Sequence, residues 1–285
     1  MGDIRIGTAG WSDPELVASG WYPPGTRSPA RRLGHYATRF DFVEVNSTYY
    51  GLPSSANSAA WAERTPDGFL FNVKAFSLLT HHHTRSAMLP TDLRPGGANV
   101  VRQRDLAPEV LDEVWLRFGT ALVPLATAGK LGLLVFQFPP WFTPEGWALD
   151  YLVECRDRLA PLRIAVELRD PSWFADPDKT LGFLAEHGIA HVAVDMPQGL
   201  PGSVPPLPEV TAEDAVVRLH GRSPDWTHGD KRERYRYRYA EEELADWAAR
   251  IRRLAPKARR TFVAFNNCCA DNPQVNAARL RELLA

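Results

Sequence analysis

Glu167 and Arg169 stand two residues apart at the end of an apolar run, Ile164-Ala165-Val166, just before Asp170-Pro171-Ser172. Residues i and i+2 of a strand share a face, and Asp-Pro-Ser is turn and helix-start chemistry. An acid and a cation are therefore presented side by side where a buried strand ends. Other apolar runs end in the same way. Glu44 and Asn46 close the run 42–46, Asn72 and Lys74 close 69–74, and Gln137 falls at the end of 131–138. Asp195 closes 190–195, Arg218 and His220 close 215–220, and Asn266 closes 261–266. The residues between them, such as Val43, Val45, Val73, Phe136, Val166, Leu168, Val192, Val194 and Leu219, are apolar, as positions packed against helices should be.

Charges gathered at strand ends must be paired or neutralised, because desolvating a lone charge is expensive. Two chemistries fit. In the first, His220 is the natural proton carrier near neutral pH, with Glu167 or Glu44 as alternatives if burial raises a carboxyl. Asn46, Lys74, Gln137, Arg169, Asp195, Arg218 and Asn266 then hold a small anionic substrate, phosphorylated or carboxylated, the arginines through paired hydrogen bonds. The expected enzyme is a metal-independent hydrolase or lyase without a cofactor. In the second, Glu44, Glu167, Asp195 and His220 converge on a metal ion. Lys74, Arg169 and Arg218 interleave with those acids and satisfy them without metal, so the first is preferred. His81-His82-His83 cannot all face one ion from an ordinary strand or helix.

Eight apolar runs (4–8, 42–46, 69–74, 131–138, 163–169, 190–195, 215–220 and 261–266) alternate with amphipathic stretches at 29–39, 54–64, 109–128, 145–159, 180–187, 241–254 and 273–284. Only the Pro-rich gap 196–214 lacks a helical pattern. Alternating strands and helices imply parallel strands. Eight of them close a TIM-like (β/α)8 barrel, an α/β fold read here as one domain over 1–285, with its site at the C-terminal ends of the strands. A doubly wound open sheet is the alternative, but Gly7-Thr8-Ala9-Gly10-Trp11 does not match its Gly-rich turn. Long loops follow the third run (76–108) and the seventh (221–240), both on the active face. The second contains Lys231-Arg232-Glu233-Arg234-Tyr235-Arg236-Tyr237-Arg238-Tyr239. If extended, it lines three tyrosines along one side and Arg234, Arg236 and Arg238 along the other. Tyr235 and Tyr237 are then substrate contacts, or the whole stretch is a platform for single-stranded nucleic acid. The competing expectation packs the tyrosines on the barrel rim and leaves the arginines in water.

The totals restrict the partners. A 285-residue chain that is 45% hydrophobic, with a formal net charge of -1, has no global attraction for nucleic acid or membrane, so any such partner needs a local patch. Three cysteines make no disulfide framework, and adjacent Cys268 and Cys269 suit reduced thiols better than a strained vicinal bond. No basic-then-apolar leader opens the sequence and no apolar run spans a bilayer, so a cytoplasmic location without membrane contact is expected.

The ordered motifs resemble the YecE-like family, known as domain of unknown function 72, along nearly the whole chain. Ile6-Gly7-Thr8-Ala9-Gly10-Trp11 is similar to its opening motif, with Ala9 where Ser is usual. Val43-Glu44-Val45-Asn46-Ser47-Thr48-Tyr49-Tyr50, Phe71-Asn72-Val73-Lys74-Ala75 and Phe136-Gln137-Phe138-Pro139-Pro140 match further pieces. So do Val166-Glu167-Leu168-Arg169, Val217-Arg218-Leu219-His220-Gly221 and Phe265-Asn266-Asn267, whereas Cys268-Cys269 depart from the pattern. The resemblance implies a TIM-like barrel and no particular reaction. A metal-dependent phosphodiesterase of the endonuclease-IV type is implied by fold analogy alone.

Overall fold

Each barrel strand arises from four to seven residues with apolar side chains on at least one face, and breakers bound it. A computed structural model describes residues 2–285; the side chain of Lys231, first in the run 231–239, lies outside the described residues. The strands are β1 (Asp3–Thr8), β2 (Phe42–Val45), β3 (Leu70–Lys74), β4 (Leu131–Gln137), β5 (Ile164–Glu167), β6 (Ala190–Asp195), β7 (Asp214–Leu219) and β8 (Arg260–Phe265). All pair in parallel with their sequence neighbours, and β8 pairs with β1 from Asp3↔Arg260 to Thr8↔Phe265, so the sheet closes into an eight-stranded barrel. Asn46, Arg169, His220 and Asn266 lie just beyond the assigned strand ends. The ladder continues there: His220 N donates to Asp195 O at 3.0 Å and Asn266 N to Leu219 O at 2.8 Å.

Helices cover the outside at Pro29–Ala37, Ser55–Glu63, Pro108–Thr127, Gly146–Leu159, Pro177–Glu186, Glu241–Leu254 and Asn272–Leu284. Side-chain caps set several starts: Ser28 accepts from Arg31 N, Ser54 from Asn57 N and Asp176 from Lys179 N. No helix is assigned over 196–213, as the Pro-rich composition predicts. None of the helices among the described residues is long and apolar enough to cross a membrane. The short helix Pro14–Ala18 and a two-residue ribbon, Thr84–Arg85 with Val100–Val101, were not expected from periodicity. They are too short to carry a period.

Two seams need help from side chains. β1 meets β2 only at Thr8↔Val43. The Tyr36 hydroxyl bridges the gap, accepting from Thr8 N at 2.8 Å and donating to Phe42 O at 3.0 Å. Between β3 and β4 the register shifts at Phe71 to Val73, and Asn72 Oδ1 accepts from Leu133 N at 2.8 Å in place of a ladder bond. Gly132 makes room for it: a Cβ there would lie 2.3 Å from Asn72 Oδ1.

The barrel interior begins with an apolar layer that includes Phe42, Leu70, Leu133, Val135, Ala165, Val192, Val216 and Phe262. Val43, Val45, Phe71, Val73, Phe136, Val166 and Leu219 face the helices in a second cluster. One strand is out of phase with the sequence reading. Val192 and Val194 belong to the interior cluster and Ala193 to the outer one. Asp195 therefore points out of the barrel, which corrects its assignment as an inward substrate contact.

Candidate functional site

Above the apolar layer lies a buried ionic plug. Arg218, 0% exposed, donates from Nε to Glu44 Oε2 at 3.0 Å and from Nη2 to Glu44 Oε1 at 2.6 Å. Its Nη1 donates to Glu167 Oε2, and Arg169 Nε donates to Glu167 Oε1. Two carboxylates thus meet two guanidiniums, the arrangement a dry interior requires. Burial alone would raise the Glu167 carboxyl, but Arg169 and Arg218 outweigh it and hold Glu167 well below the usual carboxylate range. Glu44 and Glu167 are fully buried and neither lines the cavity described below.

Hydrogen bonding fixes the state of His220. Arg218 Nη2 lies 3.3 Å from Asn266 Oδ1, and a guanidinium can only donate, so that oxygen faces it. Asn266 Nδ2 then donates to His220 Nδ1 at 2.9 Å. The neutral ring carries its proton on Nε2, which points at Glu167 Oε1, 3.2 Å away. Arg169 Nη2 sits 3.0 Å from the same nitrogen, donor facing donor, and acts there as a neighbouring positive charge rather than as a hydrogen-bond partner. Burial first, and then the Arg169 charge, push His220 down to about 3. His220 is neutral near pH 7, with Nδ1 accepting from Asn266 and Nε2 facing Glu167.

A cavity of about 450 Å³ opens above the plug. Of the residues expected at the site, Asn46, Lys74, Gln137, Tyr235 and Asn266 line it. Lys74 Nζ donates to Gln137 Oε1 at 2.7 Å and lies 4.5 Å from the centre of the Tyr49 ring. It forms no ion pair with a carboxylate among the described residues. Burial, followed by the Arg218 charge, outweighs the opposing charges of Glu167 and Glu44 and lowers Lys74 to about 7. Asn46 Nδ2 donates to Asn266 Oδ1 at 3.1 Å, while Asn46 Oδ1 has no protein partner. Asn267 and Gln274 also line the cavity, and each has a buried side-chain oxygen without a partner. Tyr49 belongs to the motif 43–50 but was not among the expected site residues. It sits in the turn Ser47–Tyr49 directly after β2, so proximity to a strand end was the signal.

Asp195 is bound outside the barrel. Arg222 Nη2 donates to its Oδ1 at 2.8 Å and the Tyr239 hydroxyl to its Oδ2 at 2.7 Å. Tyr239 also accepts from Gly221 N at 2.8 Å. Gly221 has φ +90°, and a Cβ there would lie 2.5 Å from Tyr237 Cβ, so the turn requires glycine. Tyr237 donates to Glu243 Oε1 at 2.8 Å and does not line the cavity, which corrects its reading as a substrate contact. The run 231–239 is not an extended platform. Its first part is the helical turn Lys231–Tyr235, closed by Asp230 and Glu233. Tyr235 packs 5.3 Å from Trp226 and 5.9 Å from His220, whereas Arg234, Arg236 and Arg238 are exposed.

The histidine triplet diverges. His81 packs on Tyr151, His82 on Tyr49 and His83 on Trp141. No group of three or more His, Cys, Asp or Glu among the described residues is placed to hold a metal ion. Cys155, Cys268 and Cys269 are free thiols. Cys268 and Cys269 reach the cavity wall, but burial first, and then its neighbour Cys269, push the Cys268 thiol up to about 12, which disfavours a nucleophilic thiolate.

A family model described as "Protein of unknown function DUF72" matches residues 5–285. The UPF0759 protein YunF of Bacillus subtilis is 32% identical over 290 residues, covering 99% of this chain and 94% of that protein. The UPF0759 protein YecE of Escherichia coli K12 is 30% identical over 67% of this chain and 59% of its own length. Among solved structures, a DUF72 family protein from Thermotoga maritima superposes with a TM-score of 0.81 at 31% identity, covering 99% of each chain. One from Enterococcus faecalis gives 0.78 at 26% identity, covering 100% of this chain and 98% of that one.

Proposed function

The chain belongs to the DUF72 family, whose description assigns no reaction, and from that premise we propose that it is an enzyme acting on a small anionic substrate in the cavity at the barrel mouth. Lys74, rather than His220, is its proton carrier. The observation behind this reading is that Lys74 is an amine on the cavity wall with no carboxylate partner, above a plug whose acids are already held by Arg218 and Arg169. An anion in the cavity supplies the missing counter-charge. Lowered to about 7, the amine can both give and take a proton near neutral pH.

In this scheme Glu44, Glu167 and His220 are positioning residues. Their network fixes Arg218 and Asn266, and the Arg218 charge adds to the lowering of Lys74 that burial begins. Asn46, Gln137, Asn266 and Tyr235 contact the substrate. Proton transfer suits a hydrolase or lyase that needs no resident metal, since Arg218 and Arg169 claim the buried carboxylates a metal would use. Nucleic acid binding now rests on exposed Arg234, Arg236 and Arg238 without aligned tyrosines, and is the weaker reading.

A thermal-shift screen with inorganic phosphate, sugar phosphates and small carboxylates tests the proposal. A ligand at a hundred times its Kd should add about 2.7 kcal/mol of stability. The gain should vanish in Lys74→Met. Equal stabilisation of wild type and variant would place the anion elsewhere.

A further inference from the structure

We infer that Lys74 is also a nucleophile, and that the substrate is a small aldehyde or ketone carrying an anionic group close to its carbonyl. This deepens the reading of the cavity as the substrate site and rests on it. The geometry separates Lys74 from the other described lysines. Lys130 Nζ is held by Ala62 O and Thr65 O, each at 2.6 Å. Lys257 pairs with Glu209 at 3.7 Å on the surface, and Lys179 is exposed. Lys74 alone among them lines the cavity, with one amide acceptor, an aromatic face and no counter-ion. A desolvated amine near fixed cations loses its proton more readily than a solvated one. Arg218 and Arg169 provide those cations, and their own charges are committed to Glu44 and Glu167. The lowering of Lys74 to about 7 agrees with that placement.

The chemistry balances within the cavity. The Nζ lone pair adds to the carbonyl carbon, forming a C–N bond while the C=O π pair moves to oxygen. The oxygen takes one proton from that nitrogen to become a hydroxyl and a second from a lining phenol (Tyr235) or from water, and departs as water. The remaining iminium keeps one positive charge, which the substrate's own anion offsets. The iminium can then draw the electron pair of an adjacent C–H or C–C bond, giving an enamine as the proton leaves to water or the second fragment departs; a proton from water returned to that carbon restores the iminium, and addition of water releases product and free amine. No oxidant or reductant is consumed. The substrate class follows: the carbonyl forms the bond, and the neighbouring anion compensates a cation that no carboxylate among the described residues pairs with directly.

The test traps the iminium. The protein is incubated with sodium cyanoborohydride and, separately, pyruvate, glyoxylate or dihydroxyacetone phosphate, and the products are read by intact mass and peptide mapping. Hydride adds to the C=N carbon and fixes a stable secondary amine. The expected result is a single adduct at Lys74 with at least one probe, forming at least tenfold faster than at Lys179 or Lys257. Its rate should rise through about pH 7. Lys74→Arg, checked for native circular dichroism, should abolish it, and Lys179→Arg should not. Modification spread over the exposed lysines, or no Lys74 adduct with any probe, overturns the inference. Parallel thermal shifts with the same probes separate the two failures. Stabilisation that depends on Lys74 without an adduct removes the nucleophile and keeps the anion site, whereas neither adduct nor stabilisation removes both.

Discussion

The plug draws on β2, β5 and β7 and the cavity wall on β1, β2, β3, β4 and β8, and on β2 the two lie one inward residue apart. Glu44 and Glu167 lie in the plug; Asn46, two residues further on the chain, lies in the cavity wall. In the plug every charge has a partner of opposite sign, and in the cavity Lys74 has no ion-pair partner among the described residues. A network that is complete resists ligands and stabilises the fold. A network with an unmatched cation invites a ligand and contributes little to the fold. On the proposed reading, charge density alone does not mark the site, and the uncompensated group does.

Arg218→Met should break this contrast most severely. It leaves Glu44 and Glu167 buried without their shared partner and should cost about 3–5 kcal/mol in denaturant unfolding. A loss below about 1 kcal/mol would mean that the plug is not coupled.

Acid should act next, through the buried histidines. His220 and His191 are lowered from 6.5 to about 3 and about 4, chiefly by burial. Between these values and 6.5 the unfolded chain binds more protons than the folded one, so stability must fall as pH falls through that window. His220→Gln should flatten the decline; an unchanged slope would contradict the neutral buried imidazole.

Tyr239→Phe probes the rim. It strips one hydrogen bond from buried Asp195 and one from Gly221 N, and should cost about 1–2 kcal/mol without affecting ligand binding. A loss of ligand affinity would join the rim to the site.

Lys74→Met should run opposite to Arg218→Met. At pH 6 it should leave stability unchanged or raise it by about 1–2 kcal/mol. The folded-state value lies below the unfolded 10.5, so the wild-type penalty is full below about pH 7 and fades as pH rises toward 10.5. Any advantage of the variant should fade with it. Replacing Arg234, Arg236 and Arg238 by Ala should have the smallest effect, within about 0.5 kcal/mol. Tight, steeply salt-dependent binding of single-stranded DNA that this triple variant loses would move the function to the rim.

Much of this was legible in the sequence, for physical reasons. Apolar runs bounded by breakers marked all eight barrel strands, and residues at their ends marked the plug and part of the cavity. β6 slipped because Val192-Ala193-Val194 is apolar on both faces, so alternation has no phase there; the packing of Val192 and Val194 inside the barrel and the bonds of Asp195 to Arg222 and Tyr239 settle it. The Arg-Tyr alternation of 231–239 suggested an extended strand, yet Asp230 and Glu233 at capping-box spacing signalled a helical turn. Residue type suggested His220 as the proton carrier. Its state depends on Asn266, Arg169 and Glu167, which meet it only in three dimensions.

The central claim is that Lys74 is the unmatched titrating group of the cavity. The most direct measurement is an NMR pH titration of the lysine Cε–Hε signals, with Lys74→Met assigning the resonance. A lysine signal with its midpoint near pH 7, absent from the variant, is the predicted result. A Lys74 midpoint at or above about 10 would mean that the cavity leaves the amine an ordinary ammonium, and the account would fail.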